Sequence, residues 1–270
     1  DLSGATIKVT DTATGSTTEH ANAVSADGNY SITVSDGTYS LYFSTDSYEG
    51  LIKSVVVKGA AVTANLDKAY TKITGKGQYG GGSVEWNLVD NGKYTVTEKA
   101  ANDWQFTYGQ IGVAEGDFMT RVRITGGESA HVGVNLQAYD KVGSTSLFVM
   151  KVNDGIQFKG WGFGWNSDDS GYNYINWKTA DEKKDFYFTV VRYDGKLYVF
   201  IGDENESRLI RVFEGNIKGN ESTVNTASLG KLRIGFGIFG NSATKTVTFS
   251  DYSFSTDSTA IDEYLTAHNA

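Results

Sequence analysis

The chain has 270 residues, enough for one large β domain or two unequal ones. A net charge of −8, with no cluster of Lys and Arg, repels phosphate backbones and anionic membrane surfaces and argues against nucleic acid as a partner. Cysteine is absent, which removes disulfides, thiolate catalysis and Cys-ligated zinc, and no apolar run approaches the ~18 residues of a membrane span.

Thirty-two glycines and a surplus of Thr, Ser, Val and Tyr favour strands joined by tight turns, so the expected class is all-β. Proline is absent, and turns fall to Gly, Asn, Asp and Ser. The start at Asp1, without a signal peptide, reads as a mature or excised fragment.

Residues 1–70 alternate apolar and polar positions in short runs: Ile7 and Val9; Tyr30, Ile32 and Val34; Tyr39, Leu41 and Phe43; Val55 and Val57; Val62 and Leu66. Between them Asp27-Gly28-Asn29, Asp36-Gly37 and Lys58-Gly59 supply turns, and a small antiparallel sandwich is expected. The runs GATIKVTDTATG, SADGNYSITVSDGTYSLYFSTDSYEG and KSVVVKGAAVTANLD resemble the carboxypeptidase regulatory-like and collagen-adhesin B-repeat group of transthyretin-like sandwiches. That resemblance implies a spacer in a surface protein. Some members carry an internal Lys–Asn isopeptide bond, for which Lys8 and Asn65 stand at suggestive positions; an exposed lysine and a turn-proximal asparagine is the alternative.

Residues 71–84, with three consecutive glycines, read as a linker. Beyond them the pattern predicts longer strands at 104–108, 117–124, 131–139, 146–152, 156–159, 186–193, 196–201, 209–213, 231–238 and 246–254. Ten or more strands in 85–256 match a two-sheet jelly roll. The stretches FMTRVRITGGESAHVGVNLQAYD, FYFTVVRYDGKLYVFIGDENESRLIRVFEG and KLRIGFGIFGNSATKTVTFSDYSF resemble the concanavalin A-like and laminin G-like jelly roll. Lectins, carbohydrate-binding modules, adhesins and glycoside hydrolases share that fold, so the resemblance implies architecture more than ligand. Residues 257–270 predict a short helix with Thr259 as N-cap and Ile261, Tyr264 and Leu265 on one face.

Catalysis has little raw material. His20, His131 and His268 are far apart in sequence, the Glu-x-Asp-x-Glu strand of the hydrolases is missing, and Asp203-Glu204-Asn205-Glu206 reads as a hairpin loop. The stretch 160–177, GWGFGWNSDDSGYNYINW, is the most informative. Trp161, Phe163 and Trp165 alternate with glycine, as core or as an aromatic platform. Trp165, Tyr172, Tyr174 and Trp177 flank a polar loop, and sugar rings pack their C–H faces on such planes. Asn166, Asp168, Asp169 and Asn173 offer hydrogen bonds to hydroxyls. The oxygens of Asp168 and Asp169 also make calcium conceivable, although the spacing lacks a terminal bidentate Glu.

A second surface comes from outward positions of adjacent strands, with Arg121 beside Arg123 and with Asn135, Gln137 and Tyr139 facing out if Val132, Val134 and Leu136 face in; ordinary solvated sheet is the alternative. The expected function is glycan binding without catalysis, in a monomeric part of a larger bacterial protein outside the cell or on its surface. A structural adhesin that binds host protein, or a glycoside hydrolase with an unorthodox acid pair, are the alternatives.

Overall fold

The computed structural model describes residues 2–73, 85–97, 103–107, 109–128, 131–140, 146–152, 154–161, 173–218, 223–240 and 246–270. Contacts divide the chain into two units, Asp1–Lys72 with Asn87–Tyr94, and Ile73–Trp86 with Thr95–Ala270. Of the linker-like stretch 71–84, residues 74–84 lie outside the described part.

The first unit holds β1 (Thr6–Asp11), β2 (Thr17–His20), β3 (Gly37–Ser44), β4 (Tyr48–Val57) and β5 (Tyr70–Thr71) in one antiparallel sheet ordered β2-β1-β3-β4-β5. Period-two alternation sets its register. Ile7 stands opposite Phe43 and Val9 opposite Leu41, so their apolar side chains share one face and form the core with Ala5, Val24 and Tyr39. Residues 30–34 and 62–66, expected as strands, pack Tyr30, Ile32, Val34 and Leu66 against that face but form no ladder. Lys8 sits on the opposite face, half exposed and paired with Glu19 at 2.9 Å. Asn65 is exposed in the segment before β5.

The remaining strands are β6 (Glu85–Asp90), β7 (Lys93–Thr97), β8 (Asp103–Phe106), β9 (Gly112–Ala114), β10 (Phe118–Thr125), β11 (His131–Ala138), β12 (Ser146–Val152) and β13 (Gly155–Trp161). They continue with β14 (Asn173–Tyr174), β15 (Asp185–Tyr193), β16 (Lys196–Gly202), β17 (Ser207–Glu214), β18 (Asn216–Lys218), β19 (Thr223–Asn225), β20 (Leu232–Gly240) and β21 (Thr246–Ser255). One sheet runs β17-β16-β15-β10-β21-β7-β6, the other β14-β13-β12-β11-β20-β8 with β9 also on β20. Consecutive strands β10 and β11, like β20 and β21, lie in opposite sheets, which is the alternation of a jelly roll. The chain is all-β, with one short helix.

Between the sheets Phe236 of β20 stacks on Phe249 of β21 at 4.9 Å, and Phe158 of β13 meets Phe213 of β17 at 5.1 Å. The Asp194-Gly195 turn has both residues at positive φ, 48° and 71°, so β15 and β16 close through two residues with Tyr193 opposite Lys196. The helix α1 (Ser258–Ala267) is capped two residues earlier than expected. Asp257, whose carboxylate accepts from the Thr259 and Ala260 amides, outcompetes the Thr259 hydroxyl. Its Ile261 and Leu265 cover Val191 and Phe200, which explains why β15 and β16 are apolar on both faces.

The structure corrects the outward reading of Asn135 and Gln137. Both are fully buried, as is nearly all of β11. The chain after β8 crosses that face: a Cβ on Gly235 would lie 2.1 Å from the Thr107 carbonyl, and Asn135 Nδ2 donates to the same carbonyl at 3.1 Å. Glycine at 235 admits the crossing, and the crossing covers the amide.

Candidate functional site

Of the aromatic and polar stretch, Trp165, Asn166, Asp168, Asp169 and Tyr172 lie outside the described residues, as do the side chain of Asn173 and the calcium reading that rests on Asp168 and Asp169. Its C-terminal flank is described and firmly held. β14 pairs Tyr174 with Gly155 and Asn173 with Ile156 at the edge of the second sheet. The Ile175 amide donates to the Asp154 carbonyl at 2.6 Å and its side chain is buried, which fixes the backbone on both sides of Tyr174. Opposite a glycine, the Tyr174 ring is 79 % exposed.

Trp177 is anchored rather than free. Its ring meets Phe186 at 5.4 Å and its indole N–H donates to Asp154 Oδ1 at 3.0 Å. Asp154 also pairs with Lys183 at 2.7 Å. Nearby, Arg208 binds the Asn176 carbonyl and the Glu182 carboxylate. No periodicity in the sequence points to this network, because its members come from four separate segments.

The Lys183 hydrogen bond, opposed by partial burial and helped by the Trp177 donor, holds the Asp154 carboxyl below the usual carboxylate range. A depressed folded-state pKa gives stabilisation that is present above the unfolded value and lost as pH falls through the folded one. Acidification below about pH 4 is therefore expected to loosen Trp177 and red-shift its emission, and Asp154→Asn should show that red shift already at neutral pH. A wild-type spectrum unchanged down to unfolding would remove the coupling.

The other predicted residues are dispersed. Asn135 and Gln137 sit on β11, three ladder steps from β14, roughly 14 Å in a sheet of ~4.8 Å spacing. Arg121 belongs to β10 in the opposite sheet, so the expected pairing of Arg121 with Asn135 across adjacent strands does not occur. Arg121 stacks on Tyr187 at 3.8 Å and donates to the Asp203 and Glu204 carbonyls, which ties it to the β16–β17 loop. Asn135 Oδ1 and both amide atoms of Gln137 are among several buried polar atoms, with Thr189 Oγ1 and Thr226 Oγ1, that have no protein hydrogen-bond partner. Opposite Gln137 stands Arg233, whose guanidinium lies 4.1 Å from the Tyr139 ring centroid, with Lys231 at 4.3 Å.

Among the described residues no group of three His, Cys, Asp or Glu could hold a metal ion. Asp203 Oδ1 accepts the Asn205 and Glu206 amides, the geometry of a turn, and Glu206 pairs with Lys178. His131 packs on Phe239 and His268 on Tyr264, far from each other in sequence and on different elements.

Fold and site together define an all-β protein whose larger unit is a two-sheet antiparallel sandwich with an aromatic edge. No protein-family model matches the chain, and no curated protein does. Among solved structures it is similar to the carbohydrate-binding module CBM66 from Bacillus subtilis, at 12 % identity and TM-score 0.42, over 64 % of this chain and 92 % of that one. It is also similar to a Bacillus subtilis protein of unknown function with a galectin-like fold, at 10 % identity and TM-score 0.44, over 63 % and 85 %. A functionally unknown protein from Saccharomyces cerevisiae matches at 12 % identity and TM-score 0.41, over 64 % and 95 %. At this distance the likenesses do not decide what the chain does. Among the described residues no helix is long and apolar enough to cross a membrane.

Proposed function

We propose that the second unit binds carbohydrate and leaves it chemically unchanged. The observation that carries this is Tyr174, a solvent-facing aromatic side chain whose backbone is fixed by β14 and the buried Ile175 at the edge of a sheet. A sugar ring gains from an apolar plane at fixed orientation, with hydroxyl partners close by. A binding role is supported further by the carboxylates. Asp154, Asp185, Glu182 and Glu206 are each engaged by a cation, whereas a hydrolase needs an acid pair across the scissile bond.

In this reading the first unit is a transthyretin-like spacer, the second a concanavalin A-like binding unit, and the whole a monomeric part of a larger bacterial surface protein. Affinity electrophoresis through a panel of plant, storage and mucin polysaccharides tests it. Retardation by one class without release of reducing sugar is the expected result, with Tyr174→Ala reducing the retardation. Release of reducing ends would make the protein a hydrolase, and passage through every gel would remove the glycan reading.

A further inference from the structure

The first unit contains a groove of about 620 Å³, lined on its floor by Val9, Leu41 and Val55 and on its walls by 28–36 and 59–65. A sheet with one apolar face needs cover, and here the cover is two extended segments in place of a second ladder. The alternation persists in the first wall: Tyr30, Ile32 and Val34 are half-buried while Ser31, Thr33 and Ser35 are exposed, as in a strand. Among the described residues, neither 31–34 nor 60–63 makes a hydrogen bond from main chain to main chain. The link between the walls is a side chain, with the Tyr30 hydroxyl donating to the Ala64 carbonyl at 2.6 Å. A tyrosine reaching across keeps the two backbones farther apart than the ~4.8 Å of paired strands. Leu66 fixes the far end of the second wall, packed where a side chain on Gly50 would clash.

Two strand-like walls with free donors and acceptors, an apolar floor and a gap too wide for mutual pairing describe the vacancy of one strand. We propose that this groove accepts an extended, uncharged peptide strand of a partner protein, with alternating apolar and small polar side chains. The peptide's main chain pairs with 31–34 on one side and 60–63 on the other, and its apolar side chains meet the partly exposed Val55, Val57 and Val62. The groove's composition selects this occupant. Asp36 is the charged side chain among its lining residues, and it already accepts the Gly59 amide at 2.7 Å. The inference stands apart from the glycan reading of the second unit.

The full chain would be titrated against fluorescein-labelled Ac-Thr-Val-Thr-Val-Thr-Val-amide, followed by anisotropy, with amide hydrogen exchange in parallel. Saturable binding is expected, with exchange slowed at 31–34 and 60–63. Val62→Lys, at a position 49 % exposed and so tolerant of substitution, should weaken binding at least tenfold. The same peptide N-methylated at alternate residues should not bind. No saturable binding, equal binding to Val62→Lys, or binding of the N-methylated peptide would each overturn the proposal. So would a concentration-dependent dimer that protects the same amides, which would assign the groove to a second copy instead.

Discussion

Tyr174→Ala is expected to abolish retention by whichever glycan the wild-type protein binds, while the midpoint of thermal unfolding stays within about a degree or two of wild type. Its side chain is 79 % exposed, so its removal should change stability by about 0.5 kcal/mol. An aromatic anchor at the centre of a binding site is worth about 2 kcal/mol or more, roughly a thirtyfold loss of affinity. Trp177→Ala supplies the contrast. That ring packs on Phe186 and donates to Asp154, so its loss should cost about 2 kcal/mol of stability and reduce binding only indirectly, by loosening the edge that carries Tyr174. Affinity electrophoresis and thermal melts of both variants separate the two roles. If Tyr174→Ala kept full retention, the edge would not be the site, whatever its melt showed.

In the sequence Trp177 and Tyr174 are alike, aromatic neighbours beside a polar loop. Composition could not tell them apart, because the difference lies in Asp154 and Phe186, which reach Trp177 from other strands. The long strands of the second unit were legible since alternation at Phe118, Val122 and Ile124, or at Ile234, Phe236 and Ile238, records one buried face. Alternation also placed Asn135 and Gln137 correctly, on the face away from Val134 and Leu136. It did not reveal that this face is covered as well. The available signal was glycine at 233 plus two and plus four, Gly235 and Gly237, opposite Asn135 and Gly133 in the neighbouring strand. A stripe without side chains is where another segment can approach closely, and Thr107 does so. Lys151 is the opposite failure. It continues the apolar face of Leu147 and Val149, fully buried, and its ammonium donates to the carbonyls of Gly127 at 2.5 Å and Glu128 at 2.9 Å, acceptors that no local pattern announces. In the first unit the 30–34 segment has the period of a strand without the ladder of one, because period two reports burial and only pairing makes a sheet.

Phe236→Ala is expected to destabilise the second unit by about 3–5 kcal/mol, the range for deleting a fully buried aromatic. The ring stacks on Phe249 at 4.9 Å and on Trp86 at 6.1 Å and meets the edge of Tyr252 at 5.4 Å, so its removal opens a cavity between the sheets that three aromatics line. Its neighbours Gly235 and Gly237 are backbone-only on the other face and cannot swing side chains in to fill it. Urea unfolding followed by tryptophan emission isolates this effect, since the five tryptophans, Trp86, Trp104, Trp161, Trp165 and Trp177, all fall in the second unit. A lower midpoint at unchanged slope would reflect lost packing within an intact two-state transition. A cost below about 1 kcal/mol would mean that the sheets do not meet at Phe236 and Phe249, and the jelly-roll register drawn from β20 and β21 would fall with it.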